Sequence, residues 1–167
     1  MKINPEFRKL LISNSSQHDN ISDVKKFQLL AKMPFDSDRK RMSVIVKDPD
    51  DDQYKLYCKG ADSIVNARVD KLKDYHGCPK NLANNFLDRA SRKGYRTLVF
   101  AMRVLTTKQY EDFRTKMAKA EEKIDETLDE RRAKIYSDIE QDLLRIGATA
   151  IEDRLQENVA GTISALR

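Results

Sequence analysis

Apolar and polar positions along the chain alternate between two periods, and the switches mark the elements. Residues 27–33 predict a strand that stops before Pro34. Residues 35–41 are polar and charged and predict a connection. Residues 42–47 are apolar and largely β-branched and predict a buried strand. Asp48-Pro49-Asp50-Asp51-Asp52 is strong turn chemistry. Tyr54, Leu56 and Cys58 then alternate with Lys55 and Tyr57, the period of a half-buried strand. Together these make a β-hairpin. Gly60 breaks the strand, and Asp62 predicts the cap of a helix whose apolar side is Val65, Val69 and Leu72. His76-Gly77-Cys78-Pro79 predicts a loop. Leu82, Phe86 and Ala90 mark a short helix that Gly94 ends in the C′ role. Residues 96–105 predict a strand. Thr106 with Gln109 three residues on is a capping box for the next helix.

That next stretch carries a longer stripe. Met117, Ile124, Leu128, Ile135, Ile139 and Leu143 recur at steps of seven and four. Thr127 and Glu130 form a second capping-box pattern, so two helices are expected rather than one. A coiled coil competes, but sustained a/d heptads are absent. Residues 146–151 predict a short strand. Leu155, Val159, Ile163 and Leu166 predict a last amphipathic helix. Residues 1–24 carry little pattern and predict a loop or frayed start. Strands and helices do not alternate strictly, and one hairpin must be antiparallel. The fold class is therefore α+β, an antiparallel β-sheet flanked by helices.

The 167 residues suit one domain with a real core. The longest purely apolar run, residues 98–102, falls far below the roughly 20 residues a membrane-spanning helix needs. Neither bilayer insertion by this chain nor a signal peptide is expected. Two cysteines and two histidines supply neither a disulfide framework nor a zinc site, so no metal ligands are expected. Reduced thiols in a cytosolic setting fit better. The net charge of +5 is uneven. Residues 25–47 hold seven Lys/Arg against two Asp, whereas residues 108–145 hold nine against eleven Asp/Glu. A basic focus of this kind suggests an anionic ligand.

The five glycines form no Walker-type phosphate loop and no dinucleotide fingerprint, and no nucleophile elbow is present. Three clusters remain. Phe35-Asp36-Ser37-Asp38-Arg39-Lys40-Arg41 sets an aromatic before three cations, which can stack a base and hold phosphate charge. On residue types alone the plainer alternative is favoured, a core Phe before an exposed charged turn. Lys59-Gly60-Ala61-Asp62 ends a strand with a Lys, allows close backbone approach at Gly60 and starts a helix, whose N-terminus favours anions. The alternative there is an ordinary strand-to-helix turn. Arg96 enters an apolar strand after Gly94-Tyr95 and needs a carboxylate or a phosphate nearby. An internal ion pair is the equal alternative.

In order along the chain, FDSDRKRMSVIV, YCKGAD, GYRTL and GATAIEDRLQENV resemble the nucleotide-binding domain of type IV P-type ATPases, the phospholipid flippases. The resemblance covers roughly residues 27–167, and RKRMSVIV and GATAIEDRLQ are its specific parts. It implies an ATP site in which Phe35 stacks on adenine, Lys59 lines the pocket and Arg96 reaches the phosphates. Lys40 is a further contact, with Ser37 and Gly60 as secondary candidates. It also implies the fold, an antiparallel sheet flanked by helices. Residues 1–26 precede the domain, residues 27–147 form it, and residues 148–167 begin the return into a phosphorylation domain.

Several family motifs are absent. The sequence contains no Asp-Lys-Thr-Gly-Thr, Thr-Gly-Asp or Gly-Asp-Gly, which carry the phosphorylated Asp, the phosphate and magnesium. Nor does it contain the acidic Asp-Glu-x-Ala-Leu segment whose Glu helps to hold adenine. Ala160-Gly161 stands where Pro-Glu is usual. The implied partners are therefore ATP, with magnesium on the nucleotide, and the phosphorylation, actuator and transmembrane domains of one integral membrane protein. This chain would be a cytosolic domain of it, with no catalytic residue of its own. ATP binding without hydrolysis is expected, at a dissociation constant on the order of 1 mM, about −4 kcal/mol. Two other readings make different predictions. A basic nucleic-acid-binding module built on Arg39-Lys40-Arg41 predicts strongly salt-dependent binding to DNA or RNA. A helical interaction module built on residues 108–143 predicts a stable oligomer.

Overall fold

Residues 42–47 are largely apolar, and Arg41–Lys47 forms strand β2 next to one edge of the sheet, buried on one face and mostly half-buried on the other. The computed structural model describes residues 25–70, 80–122, 125, 127–152 and 158–166. Expectations that rest on residues 1–24, Leu72, His76-Gly77-Cys78-Pro79, Ile124 and Leu155, and on the side chain of Leu82, lie outside the described residues.

Strands β1 (Gln28–Asp36), β2, β3 (Tyr54–Gly60), β4 (Arg96–Leu105) and β5 (Leu144–Ile151) lie side by side in chain order, and every pairing is antiparallel. The α+β class with flanking helices is the observed one. The acidic turn closes the β2–β3 hairpin. There Asp48 and Gln53 meet through a 3.0 Å backbone hydrogen bond, and Asp52 adopts a left-handed φ of 57°. β1 differs from the expected strand because it runs through Pro34 to Asp36. It is the edge strand, where a missing N–H costs no ladder bond, and its register shifts between Met33 and Asp36. The last strand also starts two residues earlier than expected, at Leu144.

Pairing and alternation sort the side chains into two faces. One face carries Met33, Ile45, Leu56, Cys58, Val99, Ala101 and Leu105, all buried. Helices α1 (Asp62–Asn66), α2 (Lys80–Arg92) and α3 (Thr107–Glu121) pack on this face, and α4 (Leu128–Ile139) packs on α3. Tyr110 of α3 stacks on Tyr54 of β3 with ring centroids 4.4 Å apart, a contact worth about 0.5–1.5 kcal/mol beyond its area. The stripe from Met117 through Ile135 and Ile139 to Leu143 packs against this core, so it serves as an interior seam between two helices.

Local signals at helix ends are partly realised. Thr106 and Gln109 form the capping box with both reciprocal hydrogen bonds. Gly94, at φ 75°, closes α2, with its N–H on the Ser91 carbonyl and the Tyr95 N–H on the Ala90 carbonyl. Thr127 does not cap α4; its hydroxyl is engaged by Asp125 and Arg131 instead. Asp62 is not the cap of α1 but its first residue, and the helix ends at Asn66. Val69 lies beyond it, bridged to Leu143. In α2 the buried side is Ala83, Leu87 and Ala90, while Phe86 is exposed. α5 (Val159–Ala165) forms, but Ile163 and Leu166 stand exposed.

Candidate functional site

Cross-strand register brings the singled-out residues to one end of the sheet. Asp36, Arg41, Gly60, Val99 and Ala148 form one continuous row across all five strands. The β1–β2 turn, the end of β3 and the start of β4 therefore converge. Phe35 lies at the end of β1, Ser37 and Lys40 lie in the turn, Lys59 and Gly60 end β3, and Arg96 begins β4.

Lys59 and Arg96 point away from the helices. Met42, Lys59, Phe100 and Gly147 are successive cross-strand partners, on the face opposite buried Cys58 and Val99. Arg96 shares that face with Leu98 and Phe100, since the neighbouring Thr97 donates to Asp62 of α1 on the helical side. Arg96 is four residues from Phe100, a span of about 13 Å at about 3.3 Å per residue. Any ligand touching both Lys59 and Arg96 must be elongated, or be met by long side chains. Half-buried Met42, Tyr57, Leu98 and Phe100 give the floor an apolar character.

The β1–β2 loop inverts the expectation drawn from its residue types. Phe35 is not a core residue: it is 64% exposed, the most exposed aromatic side chain among the described large hydrophobics. Two of the three cations after it turn inward. Arg41 is buried and donates its Nε to Glu140 Oε2 at 2.7 Å. Arg39 donates to Glu140 Oε1 at 2.5 Å and to the Pro34 carbonyl at 3.0 Å, with its guanidinium over the Tyr136 ring. These two arginines cannot also serve as open phosphate ligands. Lys40 remains outside, at a left-handed φ of 51°. Among the described residues, no hydrogen bond or ion pair holds the ammonium of Lys40 or of Lys59. The turn is fixed by the Asp36 carboxylate, which accepts the Asp38 and Arg39 N–H groups at 2.7 and 3.0 Å. Those N–H groups, Arg39 first, hold the Asp36 carboxyl below its ordinary range.

Gly60 serves a close approach, but to protein. An added Cβ there would lie 2.5 Å from both Arg41 Cβ and the Lys40 carbonyl oxygen. The Ala61 N–H donates to that same carbonyl at 3.0 Å. The anion role of the following helix is not realised, because the Asp62 carboxylate occupies the Ser63 N–H at 2.6 Å and α1 is only five residues long. Cys58 is buried, and burial pushes its thiol up, so it is an unreactive core residue.

Other features lie apart from this end. A cleft of about 160 Å³ between β4, α3 and α4, lined in part by Arg103, Phe113 and Ile135, is on the helical side and contains none of these residues. Among the described residues, no group of three His, Cys, Asp or Glu could hold a metal ion. Among the described residues no helix is long and apolar enough to cross a membrane.

Glu140 was missed by the sequence reading. It lies 97 to 101 residues from the donors it serves, and local pattern carries no trace of that pairing.

Comparison with known proteins agrees with this architecture. Residues 8–158 match the family model of the P-type ATPase cytoplasmic domain N. The chain is 42% identical over 140 residues to the human probable phospholipid-transporting ATPase IM, covering 84% of this chain and 11% of that protein. It is 40% identical over 146 residues to the mouse phospholipid-transporting ATPase IH, covering 87% and 12% respectively. It is also 40% identical over 143 residues to the human phospholipid-transporting ATPase ID, covering 84% and 11%. The chain thus spans only 11–12% of the length of these relatives. With a match over most of its length and the antiparallel sheet and helical cover in place, the chain belongs to the cytoplasmic N domain family of P-type ATPases.

Proposed function

We propose that the sheet end carrying Phe35, Lys40, Lys59 and Arg96 binds ATP and presents it to a phosphorylatable Asp on another domain of a phospholipid-translocating P-type ATPase. The observation that carries the reading is the convergence of an exposed aromatic ring with cations at one end of a face the described helices leave uncovered. Phe35 stacks the base, which contributes roughly 1–3 kcal/mol. Lys40 and Lys59 supply charge toward the phosphates, and Arg96 approaches them from β4. Ser37 and Gly60 frame the loop; Gly60 acts by seating Lys40 rather than by touching the ligand.

Phosphoryl transfer is mostly positioning and charge stabilisation. The residues here deliver ATP, and the acceptor Asp, the magnesium-binding acids and the lipid path belong to the phosphorylation, actuator and transmembrane domains. In this reading residues 27–147 form the nucleotide-binding unit and residues 148–167 lead toward the phosphorylation domain. Phospholipid as the transported substrate follows from what the matched relatives' names say of them.

The test is an ATP titration of the chain followed by backbone amide shifts, with Phe35→Ala alongside. Shifts clustered around Phe35, Lys59 and Arg96, with affinity near 1 mM weakened about fivefold or more in the variant, support it. Shifts elsewhere, or none at several millimolar ATP, sink it. Turnover of ATP by the chain alone would overturn the division of labour.

A further inference from the structure

Glu140, the residue after α4, is fully buried, and its carboxylate takes three hydrogen bonds. Arg39 reaches Oε1 at 2.5 Å, Arg41 Nε reaches Oε2 at 2.7 Å, and Ser43 Oγ reaches Oε1 at 2.6 Å. All three donors come from the β1–β2 hairpin. We propose that Glu140 is a positioning residue for the nucleotide site, fixing the loop that aims Phe35 and Lys40 without touching the ligand itself. This rests on the ATP reading above.

The clamp acts on the backbone at both sides of the turn. The guanidinium that binds Glu140 through one Arg39 nitrogen uses another to hold the Pro34 carbonyl at 3.0 Å, directly before Phe35. Arg41 uses its own second nitrogen to hold the Arg39 carbonyl at 3.0 Å, directly before Lys40. Lys40 therefore sits between two clamped residues in a left-handed conformation, with its carbonyl taken by the Ala61 N–H. Such a conformation persists only where the surroundings over-determine it. A buried ion cluster adds little net stability compared with apolar packing, so its use here is fixed geometry. The charge requirement is specific. One carboxylate engages two arginines that would otherwise be free to compete for phosphate.

The experiment compares ATP affinity in Glu140→Gln, Arg39→Lys, Phe35→Ala and the Glu140→Gln/Phe35→Ala double variant, by amide shifts in the whole chain. The expected result is a folded Glu140→Gln protein whose dissociation constant rises about fivefold. The double variant should bind within about twofold of Phe35→Ala alone, because both changes remove the same aimed ring. Losses that simply multiply mark a general structural role and overturn the proposal, as does unchanged affinity in folded Glu140→Gln. If Glu140→Gln fails to fold, Arg39→Lys, which keeps the charge but loses the fork to Pro34, is held to the same two outcomes alone and combined with Phe35→Ala. Wild-type protein that shows no ATP shifts overturns the ATP reading and this inference together. Wild-type binding that neither variant weakens overturns this inference alone.

Discussion

Arg41 and Glu140 meet at 2.7 Å in the interior, with side chains 4% and 0% exposed, although 99 residues separate them in sequence. The pair joins the second strand to the end of the fourth helix. Removing Arg41 leaves Glu140 Oε2 without its donor while Arg39 and Ser43 still hold Oε1, and a buried acceptor left unsatisfied costs about 1–3 kcal/mol. Arg41→Ala should therefore lower the urea midpoint strongly with the slope of the transition unchanged. A loss below about 1 kcal/mol would show that the carboxylate finds a replacement partner and that the pair is not structural.

Gly60 gives the most local prediction. The space where its side chain would stand is taken by the Lys40 carbonyl and by Arg41 Cβ, each at 2.5 Å. Both belong to paired backbone or its immediate attachment, so neither can swing aside. Gly60→Ala should cost about 1–3 kcal/mol by overpacking and move the amide resonances of residues 37–41. Wild-type stability in that variant would mean that the β1–β2 turn yields easily, against the rigid seat described above.

Asp48 predicts an acid limb. Burial pushes this 3% exposed carboxyl up, but hydrogen bonds from Lys25 and Lys55, each at 2.6 Å, and from the Asp50 N–H outweigh it. The folded-state value lies well below the ordinary carboxylate range. A group depressed on folding contributes stability above its unfolded value, near 3.9, and loses it as pH falls toward the lower folded value. Stability should therefore hold above about pH 5 and decline below about pH 4. Asp48→Asn should flatten that decline while lowering stability at neutral pH. An identical acid limb in the variant would assign the loss to other carboxylates.

Signals within a few residues of one another were legible in the sequence. The acidic turn at 48–52, the Thr106–Gln109 box and Gly94 each solve a local backbone problem, and each appears as read. Tertiary context decided the rest. Pro34 reads as a stop, yet it lies within β1 because that strand is an edge. Phe86 reads as core, yet alanines face the sheet and leave it exposed. At the site, residue types alone favoured a buried Phe35 before exposed cations. The structure exposes Phe35 and buries Arg41, because Glu140 supplies a partner that no local pattern announces. The order of the four family motifs pointed instead to Phe35, Lys59 and Arg96, which the strand register brings to one end of the sheet. Of Arg39-Lys40-Arg41 the resemblance singled out Lys40, and Lys40 is the one whose side chain stays exposed while Glu140 holds the other two.

In the proposed ATP site Lys40 and Lys59 serve the phosphates and Phe35 the base, and the two roles can be told apart. Both side chains are exposed, and among the described residues neither ammonium has a hydrogen-bond or salt-bridge partner. Surface changes of this kind alter stability by no more than about 0.5 kcal/mol, so Lys40→Gln and Lys59→Gln should melt like the wild type. Each should weaken ATP binding and reduce its salt dependence, since a screened charge pair is lost. Neither should weaken adenosine, which has no phosphate for the ammonium to meet. Phe35→Ala should weaken both ligands, because ring stacking acts on the base they share. Parallel titrations with ATP and adenosine in all three variants check this. Equal losses for the two ligands in the lysine variants would place those ammonium groups away from the phosphates and reverse the orientation of the nucleotide on the sheet.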